Sequence, residues 1–256
     1  MTHADPYRDS MLAELCTILH FCRLPMSTPE PTLSAEIFPD QQLSTISCML
    51  ALVIAAISWF ALSAQTDITI DRVLVHGMTV MDGVARLSSY LTNLTILLSA
   101  VGFSALALPG GNPVSRFFRK PQVITAIVAY MIFVGIAYNL LLRQLWQPTG
   151  FRALVNESLH TVTPLLSMVY WIFFVPRFQP SLKKSVLWLI YPLSYLFITL
   201  WRGGMSGFYP YPFINVKELG YPHVLLNAAG LLAGFLMLMG LLIVINESGK
   251  TLFLRR

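Results

Sequence analysis

Apolar residues run along the chain in six long stretches, near 45–64, 85–108, 122–145, 158–176, 185–202 and 223–246. A helix crosses the roughly 30 Å hydrocarbon core of a bilayer with about 20 mainly apolar residues, and each stretch is near that length. The runs do not alternate apolar with polar residues as barrel strands do. Helices also satisfy their own backbone groups, which lipid cannot do for them. The pattern predicts an all-α polytopic membrane protein, a bundle of about six transmembrane helices. Pro109-Gly110-Gly111-Asn112-Pro113 ends the second stretch, Pro176 and Pro180 flank the turn after the fourth, and Gly203-Gly204 closes the fifth. Pro164 and Pro192 fall inside stretches, as kinks that membrane helices tolerate.

Composition agrees. Of 256 residues, 55% are hydrophobic and 11% charged, against about 25% charged in soluble domains. Membrane lipid is the expected partner, and nucleic acid is not expected despite the formal charge of +5. Arg116, Arg119, Lys120, Arg177, Lys183, Lys184, Lys250, Arg255 and Arg256 cluster in alternate loops and the tail, while Arg72, Arg86, Arg143, Arg152, Arg202 and Lys217 are scattered over the others. Basic loops stay inside, so a multi-pass cell-membrane protein with both termini cytoplasmic is expected. The chain divides into an N-terminal cytoplasmic segment, 1–44, a six-helix domain, 45–247, and a basic tail, 248–256. The apolar patch Met11–Cys22 is too short and polar to span, and Met26 opens a second start, so residues 1–25 are expected to be an over-extended start or a disordered tail. Cys16, Cys22 and Cys48 have neither metal-ligand spacing nor a disulfide framework. No metal and no cofactor is expected.

Polar side chains inside the spans narrow the search for chemistry. Ser88, Thr92, Thr95 and Ser99 recur at helical spacing on the second stretch, a pattern that serves helix contacts as readily as a site. His160, Pro164, Ser167 and Trp171 share a face of the fourth. Tyr191, Tyr195, Thr199 and Arg202 share one on the fifth. Asn227 begins the sixth, followed by Gly230 and Gly234, a spacing typical of close helix packing. In the expected topology Thr92, His160, Arg202, Asn227 and the loop Tyr209–Phe213 all lie near one level of the outer leaflet. His160 could take the proton of the Thr92 hydroxyl, and Arg202 or Asn227 could donate to a developing oxyanion. The chemistry expected of such a pocket is acyl transfer, and a site facing the acyl region could receive a lipid ester sideways from the bilayer. No soluble-hydrolase elbow, zinc-protease motif, Walker loop or dinucleotide fingerprint occurs, and no acid within a span is placed to orient His160.

Five short motifs in order carry a resemblance: Tyr90-Leu91-Thr92, Leu159-His160-Thr161 with Pro164, Ile190-Tyr191-Pro192-Leu193-Ser194-Tyr195, Arg202-Gly203, and Tyr209-Pro210-Tyr211-Pro212-Phe213. Over about residues 45–247 the chain resembles the bacterial branch of the androgen-induced protein family, six-helix membrane proteins whose animal members include hydrolases of fatty acid esters of hydroxy fatty acids. The resemblance implies a catalytic threonine at Thr92 and a histidine at His160, with Thr95 as the alternative nucleophile. It does not extend to the N-terminal segment. The expected function is an intramembrane threonine-type hydrolase of lipid or fatty-acid esters. The alternatives are a non-catalytic membrane scaffold or partner protein and, lower in order, a small-molecule transporter, for which no inverted repeat or midplane charge is evident.

Overall fold

A computed structural model describes residues 44–108, 112–179 and 185–253, with side chains as far as Ser248. The expectations for the segment before Ser44, for Lys183 and Lys184, and for the side chains of the basic tail from Gly249 onward lie outside those residues. The described residues form helices and no strand: α1 (Thr45–Val75), α2 (Val80–Leu87), α3 (Leu91–Ala107), α4 (Pro113–Phe118), α5 (Pro121–Ala137), α6 (Phe151–Glu157), α7 (Thr163–Phe174), α8 (Ile190–Ser206) and α9 (Val216–Phe253). The protein is an all-α, membrane-embedded bundle.

α1 begins at Ser44, whose hydroxyl accepts the Ser47 amide at 3.2 Å. Its 31 residues reach about 46 Å at 1.5 Å each, more than the apolar stretch 45–64 needs. The last turns carry Asp67, Asp71 and Arg72 past it. α1 pairs most extensively with α3. The buried face of α1 is built of Ala51, Ala55, Ser58 and Ala61, small enough for close backbone approach, and Ser58 Oγ lies 3.3 Å from Ser99 Oγ. With α5 and α7 these helices enclose a core that includes Ile54, Phe103, Ile127, Tyr170 and Trp171.

Among the described residues four helical runs are long and apolar enough to cross a bilayer: Thr45–Val75, Pro121–Leu142, Val186–Ser206 and Val216–Ser248. α2 with α3 makes a fifth if taken as one bent span. The stretch expected at 158–176 is helical but falls short of that standard of apolarity. Ser158, His160, Thr161, Thr163 and Ser167 dilute it.

The second stretch departs from expectation. An 81° bend separates α2 from α3, so the stripe Ser88–Ser99 is not one helix face. Ser88 caps the end of α2, and Thr92 stands in the first turn of α3 rather than two turns into a continuous helix. The carbonyls left free at the break find partners: Asn93 Nδ2 donates to Leu87 O at 3.0 Å, the Tyr195 hydroxyl to Ser89 O at 2.8 Å, and Arg202 Nη2 to Ala85 O at 3.0 Å.

Two π-helical turns face each other across α5 and α7. α5 continues as a π turn, Tyr138–Leu142, and Ser158–Val162 forms another between α6 and α7. Pro164 has no N–H to return to the carbonyl of His160. Asn139 Nδ2 takes that carbonyl at 3.3 Å, together with Gly135 O at 2.8 Å. A Cβ on Gly135 would stand 3.0 Å from His160 O and 3.1 Å from Pro164 Cβ, tighter than ordinary contact, so the missing side chain is what lets the two helices approach this closely.

α8 stops at Gly207 in the left-handed conformation, φ 73°. A loop follows, and α9 turns sharply at Gly220, φ 72° and ψ 161°, close to the expected start at 223. The Gly230–Gly234 pair is not the close contact its spacing predicts, for a Cβ on either would meet nothing within 4 Å. That face of α9 looks away from the bundle.

Candidate functional site

The helix break places Thr92 in the first turn of α3, where the backbone N–H groups have no intrahelical acceptor. Tyr90 at the cap position supplies no side-chain bond. The Tyr211 hydroxyl, carried by the loop after α8, lies within hydrogen-bonding reach of the Leu91 and Thr92 amides and of the Thr92 hydroxyl. Burial pushes the Tyr211 phenol above its ordinary range, and its oxygen accepts from those amides. The Tyr195 hydroxyl is within reach of the Leu91 amide and of Tyr211. Tyr90 packs edge-on against Tyr211, with centroids 5.6 Å apart, and Tyr211 stacks on Phe213 at 5.2 Å. The motif Tyr209–Phe213 is thereby a plug against the mouth of α3.

Beside Thr92 opens a cavity of about 100 Å³, walled by α5, α8, α9 and the loop. Its polar lining consists of Thr92 and three tyrosines, Tyr138, Tyr195 and Tyr211; Phe133, Leu193, Leu196, Leu231 and Phe235 are among the apolar rest. An apolar pocket with a few converging polar groups is the usual form of a small-molecule site.

His160 does not line this cavity. Its ring stacks on Tyr138 with centroids 3.8 Å apart and planes 19° apart, and Tyr138 does line it. The Nδ1 atom lies 2.9 Å from Asn156 O. A carbonyl only accepts, so Nδ1 carries the proton and Nε2 keeps the lone pair of a base. Asn156 Nδ2 donates to the Tyr138 hydroxyl at 2.7 Å, tying the two rings to one residue. The nearest acid, Glu157, bonds elsewhere: Arg143 Nη2 is 2.7 Å from both carboxylate oxygens, and the Thr161 hydroxyl donates at 2.7 Å. At the edge of the bundle, the Thr161 bond first and Arg143 with it hold the Glu157 carboxyl below its ordinary range.

The other expected residues are placed apart from the cavity. Thr95 donates to Leu91 O at 2.8 Å and meets the Tyr191 hydroxyl at 2.9 Å. It is fully buried, with no room for a substrate. Arg202 Nη1 and Nη2 reach Ser88 Oγ at 3.4 Å and Ala85 O at 3.0 Å. Asn227 Nδ2 donates to Phe213 O at 2.9 Å. Arg202 and Asn227 hold backbone at the helix break and the plug loop, and the polar groups that do face Thr92 are the first amides of α3 and the Tyr211 hydroxyl. Tyr138 went unnoticed in the sequence, where a tyrosine at the end of an apolar run reads as interfacial. Asn139 beside it and Arg143, one helix turn further on, were the available signal.

Among the described residues no cluster of His, Cys, Asp and Glu could hold a metal. No protein-family model, curated protein or solved structure matches the chain.

Proposed function

We propose that the protein is an intramembrane threonine-type hydrolase of lipid or fatty-acid esters, a bacterial-type relative of the androgen-induced protein family. The observation that carries this reading is the position of Thr92, a buried hydroxyl at an apolar cavity, beside helix-terminal amides that only the Tyr211 and Tyr195 hydroxyls cover. In the reaction, Thr92 Oγ attacks the ester carbonyl carbon while a base, His160 Nε2, takes its proton. The amides of Leu91 and Thr92 hold the oxyanion in place of the Tyr211 hydroxyl, helped by the positive end of α3. The carbon–oxygen bond to the alcohol breaks, and the alcohol leaves with the proton from His160. Water then releases the acid from the threonine ester. Tyr138 stands between His160 and the cavity, so the reaction needs that ring to swing aside. Arg202 and Asn227 act here by holding the helix break and the plug loop. The basic residues support a multi-pass protein of the cell membrane with both termini cytoplasmic and six crossings, the fourth being the polar segment around His160. Arg119 and Arg177 lie at the end opposite the plug loop, against Leu108 O and the Trp171 ring.

A second reading, a non-catalytic partner protein, draws on the satisfied bonding of His160, which stacks and hydrogen-bonds like a structural residue. Turnover of a fluorogenic acyl ester by purified protein separates the two. Thr92→Val is expected to abolish turnover, and Thr92→Ser to keep part of it, because the hydroxyl remains. His160→Ala should cost as much as Thr92→Val, and the double variant little more, since nucleophile and base act as a unit. Full activity in folded Thr92→Val would remove Thr92 as nucleophile.

A further inference from the structure

The cavity has a closed end, and its depth sets the ligand it can take. α5 runs toward the plug loop and α9 away from it, so Phe133 and Phe235 are the deepest lining residues on each helix. These two rings meet edge to face with centroids 5.3 Å apart. Tyr130 stacks beneath Phe235 at 5.7 Å and against Tyr191 at 4.7 Å. Phe235 is 1% exposed. The aromatic group is a floor, not a passage. From Ala228, the lining residue of α9 nearest the loop, to Phe235 is about 10 Å at 1.5 Å per residue. The acyl chain of an ordinary membrane lipid fills half the bilayer core, about 15 Å, longer than the distance between the plug and this floor.

We infer that the cavity is an acyl pocket for short and medium chains, with Phe235 and Phe133 as the residues that set the chain length. The inference rests on the hydrolase reading for its reaction, and on the cavity alone for its ligand. A chain of this size lies against the leucines of α8 and α9, with its carboxyl or ester oxygen at the hydroxyls of Thr92 and Tyr211. Truncating either phenylalanine extends the pocket toward Tyr130 and Tyr191.

The test compares methylumbelliferyl acetate, butyrate, octanoate and palmitate as substrates for the protein in lipid nanodiscs. Thermal stabilisation by free octanoate and palmitate is measured in parallel. Wild type is expected to prefer butyrate or octanoate to palmitate by about tenfold or more in kcat/KM, the discrimination typical of a pocket of fixed size. Phe235→Ala, and the milder Phe133→Ala should the first fail to fold, are expected to shift the ratio toward palmitate by about tenfold. Turnover with equal rates on octanoate and palmitate, unchanged in a folded phenylalanine variant, overturns the length-setting floor while leaving the hydrolase reading intact. No turnover of any ester, with octanoate stabilising wild type and palmitate stabilising only Phe235→Ala, upholds the pocket and overturns the hydrolase. Neither turnover nor stabilisation overturns both.

Discussion

The bundle has two unlike halves. Of the most apolar eighteen residues of each helix, 61% are buried in the run containing α5 and 39% in α1, against 17% in those containing α8 and α9. The first half, α1, α3, α5 and α7, closes on itself through small residues and interlocked aromatics. The second half leans on the first through a few specific bonds. The Tyr191 hydroxyl meets Thr95, the Tyr195 hydroxyl donates to Ser89 O, and Asn246 reaches the Phe178 backbone through both its amide atoms. In lipid, apolar surface gains nothing by turning inward, so packing and hydrogen bonds carry helix association. A half with little packing depends on its bonds, and it can part from its neighbour with little loss. The cavity lies at that junction. The arrangement gives a well-packed wall bearing Thr92, with His160 behind Tyr138, and a loosely packed wall on the side of α8 and α9.

The sharpest way to break the comparison is a large side chain in the well-packed half. Gly135→Leu puts four carbons where even a Cβ would stand 3.0 Å from His160 O. Overpacking of this kind costs on the order of 3 kcal/mol, so the variant is expected to lose most of its stability in detergent, read as a lowered melting temperature. It should also disturb the His160 ring, because the same turn carries it. A melting temperature equal to wild type would mean that the two π turns are not tightly joined.

A smaller effect is expected from the bonds that hold the second half. Tyr195→Phe removes the donor to Ser89 O and leaves a carbonyl unpaired at the helix break. The loss is about 1–2 kcal/mol, with the ring packing kept. The readout that distinguishes it from a general loss of packing is proteolysis or hydrogen exchange confined to the α2–α3 break. Uniform loosening across α1 and α5 would count against the division into halves.

The two halves were unequally legible in the sequence. Hydropathy marks where a chain meets lipid, so the apolar stretches were evident, and Thr92 and His160 stood out as polar groups within them. The break at Ser88–Tyr90 was hidden because no proline or glycine marks it. It is made by partners far away in sequence, Tyr195 and Arg202, and that moved Thr92 from the middle of a helix to its first turn. The donors facing Thr92 were hidden for the same reason. Arg202 and Asn227 have strong donors and the right level, but spacing does not reveal that backbone carbonyls claim them. Tyr211 becomes a site residue only when the loop folds back. The Gly230–Gly234 spacing is typical of close packing in membrane helices, yet spacing carries no information about which face of α9 turns to the bundle.

That glycine pair provides the smallest expected effect and the cleanest statement of the contrast. Gly230→Leu and Gly234→Leu place the same side chain as Gly135→Leu, on a helix of the same protein, where a Cβ meets nothing within 4 Å. No bundle contact is lost. The exchange also removes a glycine from a helix interior, worth up to about 1 kcal/mol in favour of the variant. The melting temperature of each should equal or slightly exceed that of wild type, with ester turnover unaltered. Expression and monodispersity should match wild type as well, because leucine is at home in lipid. A fall comparable to that of Gly135→Leu in either variant would show that this face of α9 is covered in the membrane by something outside the single chain. The second half would then be packed as firmly as the first, and the contrast between the two halves would have to be abandoned.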